Sequence, residues 1–371
     1  MNGTTNGATG ATPAESPLAA VERASGAALG SWFGCTLPDA FSDGPDAWLE
    51  EYRAAKERVA LLDENFRGYL RFTGPDRVRY LNAILTNNIK DLQPGRGVAS
   101  LFLNPQGRIL AEIETLAEAE SLLCVVNASM QEVVVPALEK YIIMDDVTLA
   151  VETERFATIG VAGPQAFEAV KTVSGLDIRG WQDLSFGEAR VGGVLCRVVK
   201  RATAEGAASD FISPRTEAAA VWRTLLEAVV AAGGRPAGYQ ALNALRLEQG
   251  VPWFGYDFGD KQIPHEAGLQ DSHISYSKGC YTGQEIVERV RSRGQVNRVR
   301  LLVRFAGATA PAPGNVLTAD GKEAGYVTRT GFSPRLGSVI GMAYLRREKS
   351  APGTELECAG ASAAVIGPRV E

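Results

Sequence analysis

Histidine is nearly absent from this chain: His265 and His273 are the only two in 371 residues. A metal centre built on several imidazoles and thiolates is thereby excluded, and no metal is expected. Any Ser–His–Asp triad would have to use one of those two side chains. Cysteine is also scarce. The five residues, Cys35, Cys124, Cys196, Cys280 and Cys358, are odd in number and show no metal-ligand spacing. That argues against a disulfide framework and for a reducing compartment, so a cytoplasmic protein is expected. No apolar run approaches the roughly 20 residues of a bilayer crossing. The N-terminus lacks a basic start followed by an apolar stretch, so neither a signal peptide nor a membrane partner is expected. There is no G-x-S-x-G, no Walker A loop and no G-x-G-x-x-G, which removes the best evidence for a hydrolase or a nucleotide binder. The net charge of -5 gives no general attraction to nucleic acid.

What is present is ordinary globular composition, 45% hydrophobic and 22% charged, over a length that predicts two or three domains. Residues 1–30 begin with a Gly-, Thr- and Ala-rich stretch that reads as a disordered tail. Residues 46–62 carry apolar side chains at helical spacing. Gly68–Gly74 alternates apolar and polar residues and reads as a strand, followed by a helix over 75–85 with Pro75 near its first turn. A strand pair over 97–103 and 108–116 turns at Asn104-Pro-Gln-Gly107, then a strand Leu122–Asn127 and a helix over 129–141. Residues 147–232 repeat this grammar. Thr73-Gly-Pro-Asp-Arg77 and Ala162-Gly-Pro-Gln-Ala166 each join a strand to a helix, which leaves two readings open, related α+β halves or a common turn used twice. From about residue 296, short strands (298–305, 323–329, 337–343, 363–366) separated by Pro and Gly predict a small β-barrel. The fold class is α+β.

The chemistry-bearing stretch is 238–293. A helix from Tyr239 to Glu248 is stopped by Gly250 and Pro252. Glu248, in its last turn, opposes the helix dipole. It is either a surface carboxylate or partner of Arg246, or an acceptor for a ligand with paired N–H donors. Next comes Ser277-Lys-Gly-Cys-Tyr-Thr-Gly-Gln-Glu285, in which Thr282 and Glu285 have capping-box spacing. Cys280 therefore stands just before a helix N-terminus with Lys278 two residues away. Both features favour a thiolate, and a reactive thiol and a small packed residue remain open readings. Arg289–Arg300 is densely basic but has no interleaved aromatics to stack bases, so a solvated helix end is favoured over a nucleic-acid or acidic-partner surface.

Lys278-Gly-Cys-Tyr-Thr-Gly-Gln-Glu285 resembles the signature of the YgfZ-type folate-binding proteins, which belong to the superfamily of the glycine-cleavage T-protein, or aminomethyltransferase. Ala244-Leu-Arg-Leu-Glu-Gln-Gly250 is similar to that superfamily's helix ending in a pterin-contacting Glu. Pro264, Glu266-Ala-Gly268, Thr86-Asn-Asn88, Leu92, Pro94-Gly95, Asn104–Arg108 and Val125-Val-Asn127 extend the resemblance over about 50–371.

The resemblance implies an aminomethyltransferase-like three-domain cloverleaf around a central folate cavity. An N-terminal α+β folate-binding domain would span 31–146, completed by 235–295; a second α+β domain would span 147–234, and a C-terminal barrel 296–371. It implies tetrahydrofolate, or a one-carbon derivative, as cofactor. Asn127, Glu248, Gln284 and Glu285 would be the binding residues, and Cys280 and Lys278 the catalytic pair. It also implies a monomeric accessory protein for assembly or repair of iron–sulfur enzymes, including tRNA-modifying ones, with those enzymes as partners. The alternative is a folate-dependent aminomethyltransferase or demethylase. The T-protein's acidic pair, however, falls on Ala111 and Glu112. An alanine cannot position a proton, which counts against the alternative at this stage.

Overall fold

Each of the two Gly-Pro segments ends a strand and starts a helix. The computed structural model describes residues 13–41, 44, 46–203 and 206–371. In the first segment, strand β1 (Arg67–Thr73) gives way at Gly74 to helix α1 (Arg77–Ile84), then strands β2 (Gly97–Leu103), β3 (Ile109–Ala117) and β4 (Leu122–Asn127), and helix α2 (Gln131–Glu139). In the second, strand β5 (Phe156–Gly163) gives way to helix α3 (Ala166–Ser174), then strands β6 (Phe186–Val191), β7 (Val194–Thr203) and β8 (Gly206–Pro214), and helix α4 (Ala218–Ala231). The sheet orders match as well. The first is β2-β3-β4-β1 with Thr148–Val151 added at its edge; the second is β6-β7-β8-β5 with Ala60–Asp63 and Arg235–Pro236 added. In both, the last strand of a three-strand meander returns antiparallel to the first strand, β4 on β1 and β8 on β5. Shared strand order, shared helix placement and the shared turn favour related halves over coincidence.

The turn needs glycine for a steric reason. Gly163 has φ +126°, and a Cβ there would lie 2.7 Å from the Arg58 carbonyl oxygen and 2.8 Å from that of Ala55. At Gly74, with φ +96°, it would lie 2.2 Å from the Asp146 carbonyl oxygen.

By its contacts the described chain divides into two units, one built on residues 13–100 with Glu112–Leu242, the other on Leu101–Ala111 with Asn243–Glu371. The division into three domains stays a proposal. In the larger unit, Val59, Leu61, Ile159, Val161, Val198 and Phe211 pack with Val221, Trp222 and Leu225 of α4 in one buried cluster. In the smaller unit a closed barrel runs β9 (Arg298–Phe305), β12 (Ser338–Arg346), β11 (Lys322–Ser333), β10 (Val316–Ala319), β13 (Glu355–Cys358) and β14 (Ala361–Gly367). Val303, Phe305, Leu317, Val327, Leu345 and Val365 fill its interior. The chain therefore forms the expected α+β fold with a C-terminal barrel.

Three expectations are corrected. Part of the stretch expected as a tail is built structure: Ala14–Glu15 and Ala28–Trp32 share a sheet with Cys35–Ala40, and Ala19–Ala24 is a helix. Residues 1–12 lie outside the described residues. The stretch is poor in large apolar residues, but Leu18 is fully buried within the core cluster and Val21 packs against it. The helix expected over 46–62 stops at Glu57, and Ala60–Asp63 is a strand. An apolar run buried on both faces reads the same in either conformation. The barrel gains strands at Val316–Ala319 and Glu355–Cys358, both only four residues long.

Gly163→Ala is expected to cost about 3 kcal/mol, the upper end for a strained backbone position. Gly175→Ala, left-handed at φ +74° but with open space around its Cβ position, is expected to cost about 1 kcal/mol. Urea denaturation of the two variants checks this, and equal costs would contradict the steric account.

Candidate functional site

In the larger unit the alternation of β1 puts Arg67, Tyr69 and Arg71 on one face. Glu114, Leu116 and Glu118 share a face of β3 and its continuation in the same way, and Arg197, Val199 and Arg201 a face of β7. These faces meet. Tyr69, Leu116, Leu123 and Val125 of one sheet pack against Val199 and Ile212 of the other, and ion pairs flank this apolar layer on both sides. On one side Arg71 and Arg197 share Glu118, and Arg71 also reaches Glu152 at 2.7 Å. On the other, Arg201 reaches Glu114 at 2.5 Å and Asp210 at 2.5 Å, while Arg67 reaches Asp210 at 3.3 Å, Glu114 at 3.5 Å and Glu64 at 3.0 Å. This second group holds three carboxylates against two guanidinium groups. Glu64 has its pKa pushed up to about 7, chiefly by burial, and its tie to Arg67 only partly offsets this.

Asn127 stands opposite Arg67 in the strand register. Its side-chain oxygen accepts from the Ser129 N–H at 3.1 Å and the Ser129 hydroxyl at 2.8 Å, capping the short turn Ala128–Met130. Sequence reasoning missed Glu64, Arg67, Glu114, Arg201 and Asp210. Alternating charges on a strand ordinarily mark a solvent face; the available signal was that three strands carried the same charged–apolar–charged spacing.

Helix α5 (Tyr239–Glu248), whose part from Asn243 onward belongs to the smaller unit, ends where expected, but Glu248 is 1% exposed. Its Oε1 accepts from the Ser333 hydroxyl at 2.6 Å and the Arg335 N–H at 3.1 Å. It is therefore neither a surface carboxylate nor the partner of Arg246, which pairs with buried Asp257. Helix α6 (Gln284–Arg293) begins after Gly283, and the Thr282–Glu285 capping box does not form. Gly283 sits at φ +81°, where a Cβ would lie 2.6 Å from the Asn104 carbonyl oxygen. A Cβ on Gly107 would lie 2.9 Å from Ile286. The Asn104–Gly107 turn and the start of α6 thus meet through two glycines.

Gln284 folds back, its Oε1 accepting from the Tyr281 N–H at 3.3 Å. Glu285 is 91% exposed at the side chain, 3.6 Å from Arg289. Cys280 is exposed, whereas the other four cysteines are buried. Lys278 is half-buried, its ammonium 5.3 Å from the centre of the Tyr281 ring, and burial lowers its pKa to about 8. Glu248 is held beneath a barrel turn, whereas Cys280 is on the surface. Ala111 is buried at 1% exposure and supplies no acid. The basic segment makes local contacts: Arg291 lies 4.1 Å from the Tyr276 ring centre, Arg298 3.4 Å from Glu323, and Arg300 donates to the Gly250 and Ala267 carbonyls at 2.7 and 2.8 Å.

Comparison with known proteins decides the family. The GCVT N-terminal domain matches residues 18–273, and the glycine cleavage T-protein C-terminal barrel domain matches 297–365. The chain belongs to the glycine-cleavage T-protein family. Similar curated relatives include proteins named Aminomethyltransferase from Streptomyces coelicolor, 30% identical over 91% of both chains, and Rubrobacter xylanophilus, 30% identical over 90% of this chain and 87% of that one. The glycine cleavage system aminomethyltransferase T of Bartonella henselae has the same fold, with a TM-score of 0.82 at 21% identity over 96% of this chain and 97% of that one.

This membership corrects the accessory role expected for iron–sulfur enzymes. The T-protein relatives match nearly the whole chain and are named as transferases, so the iron–sulfur clients and the tRNA-modifying context give way to the alternative reading. Among the described residues of this T-protein family member, no helix is long and apolar enough to cross a membrane, and no group of three or more His, Cys, Asp or Glu is placed to hold a metal.

Lys278 is expected to react with an amine-acylating reagent with a midpoint near pH 8, about two units below an ordinary lysine. Peptide mass spectrometry across pH measures it. A midpoint near 10 would contradict the burial assigned to its ammonium.

Proposed function

We propose that the protein is a folate-dependent one-carbon transferase that passes an aminomethyl or methyl unit to tetrahydrofolate or a derivative. The observation that carries this reading is the match, at 30% identity over 91% of both chains, to a protein named Aminomethyltransferase. The octapeptide Lys278–Glu285 supports a YgfZ-like branch within the family.

The charged group of the larger unit fits a pterin chemically. Carboxylates of Glu64, Glu114 and Asp210 accept from amino and ring N–H donors, and guanidinium groups of Arg67 and Arg201 donate to a ring carbonyl. Asn127, across the register from Arg67, belongs to the same proposed site. Bound tetrahydrofolate would supply the nitrogen that takes up the one-carbon unit. The protein's own task is to move a proton between that nitrogen and the departing amine. Ala111 cannot do this, and we assign it to Glu64, the carboxyl left with the smallest share of the two arginines. Lys278 and Cys280 form a proposed reactive pair on the smaller unit. Gln284 and Glu285 open the helix beside them, and Glu248 fixes the end of α5 to the barrel.

The test is turnover of an aminomethyl or methylamine donor with tetrahydrofolate, alongside calorimetric titration with folate. Absence of both folate binding and turnover would overturn the reading. As the base, Glu64 must be ionised, so the rate is expected to rise as pH passes about 7. Glu64→Gln is expected to lower kcat by about 10²–10³ and to remove that limb. An unchanged pH profile in the variant would contradict the assignment.

A further inference from the structure

The helix Ala19–Ala24 carries a buried acid that the proposed site does not use. Glu22 is 0% exposed, and no hydrogen-bond donor reaches either of its carboxyl oxygens. It is directed at Asp63, itself 1% exposed, at the end of the strand Ala60–Asp63. Asp63 is well supplied with donors: the Ser16 hydroxyl at 2.5 Å, the Asn65 N–H at 2.9 Å and the Asn65 side-chain amide at 2.5 Å. Tyr239 donates to its backbone carbonyl at 2.8 Å. The surrounding charges are engaged elsewhere. Arg23 pairs with Glu15 at 2.7 Å on the surface, Glu64 with Arg67 at 3.0 Å, and Arg215 with Glu154 at 3.3 Å. The Cys35 thiol is pushed up to about 11 by burial and by the charge of Asp63, and stays neutral. Two ionised carboxyls facing each other in a dry interior without a counter-charge would be too costly to persist.

We propose that Glu22 and Asp63 share a single proton, and that this proton locks the segment Ser16–Ala24 onto the strand end that carries Glu64. Asp63, held by its three donors, is the ionised member; Glu22 is the acid and donates to it. Burial and the charge of Asp63 push the Glu22 pKa from an ordinary 4.5 up to about 10. The unfolded chain has lost this proton above pH 4.5 and the folded chain keeps it to about pH 10, so folding takes a proton up throughout that window. The lock therefore weakens steadily as pH rises and opens on the alkaline side. Its opening removes the Ser16 hydroxyl from Asp63, next to Glu64.

Glu22→Gln keeps the side chain's shape and replaces the titrating O–H by a permanent N–H donor. The wild type is expected to take up about one more proton than this variant on folding between pH 7 and 9. Amides of residues 16–24 are expected to lose hydrogen-exchange protection in the wild type as pH rises from 7 to 10, after correction for the intrinsic base-catalysed rate, and to keep it in Glu22→Gln. Parallel pH dependences in the two proteins would overturn the shared proton. Should the variant fail to fold, infrared spectra of the wild type labelled with ¹³C-glutamate decide. A protonated, isotope-shifted carboxyl band at pH 8 is expected, and its absence would overturn the proposal. Neither readout involves folate, so failure here leaves the transferase reading intact.

Discussion

Two antiparallel sheets facing one another across alternating rows of charge and hydrocarbon are the constraint on which the larger unit depends. The apolar row around Tyr69, Leu116, Val125, Val199 and Ile212 supplies the burial. The flanking Arg–carboxylate rows prevent slippage, because a one-residue shift would turn every guanidinium to the opposite face of its sheet. Each sheet comes from one half of the internal repeat, so the repeat and the charged rows are parts of one solution. A βαβββα unit buries one face against its helix and offers the other to its counterpart. The cost of burying so many charges is offset by sharing: Glu118 serves Arg71 and Arg197, and Asp210 serves Arg67 and Arg201.

That sharing is incomplete at one end, and there the chemistry can begin. Three carboxylates on two arginines leave Glu64 titrating near neutrality, and Asp63 beside it faces another buried acid. A purely structural ion cluster would be expected to balance its charges; this one holds an excess of acid at a strand end. The smaller unit is organised differently. Its barrel is closed and apolar inside, and its polar interior contacts are fixed attachments: Glu248 to the turn after β11, Arg246 to Asp257, and Asp257 to the Thr328 hydroxyl at 2.6 Å.

Much of the fold was legible in the sequence because it rests on periodicity and turn chemistry. Gly74-Pro75 and Gly163-Pro164 announced the strand-to-helix turns, and the Pro/Gly-punctuated short strands after residue 296 announced the barrel. The family was legible in Lys278–Glu285 and Ala244–Gly250. The accessory role for iron–sulfur enzymes was misread, because a short octapeptide outweighed the resemblance to the transferases spread over the whole chain. The charged rows were not legible. One strand of alternating charge does not reveal whether its polar face meets water or another sheet, and pairings such as Arg201 with Glu114, 87 residues apart, are set only by the fold. The partner of Glu248 was not legible for a related reason: Ser333, whose hydroxyl donates to it, lies 85 residues downstream.

The Arg201–Glu114–Asp210 group joins the sheets and is proposed also to receive the ligand. A double-mutant cycle on Arg201→Gln and Glu114→Gln, read in parallel by chemical denaturation and by calorimetric titration with tetrahydrofolate, tests both roles together. Each single variant is expected to lose about 3 kcal/mol of stability by orphaning a buried charge. The pair is expected to show coupling of about 1 kcal/mol or more in stability and in folate affinity alike. Coupling in stability with folate affinity untouched in all three variants would contradict the account.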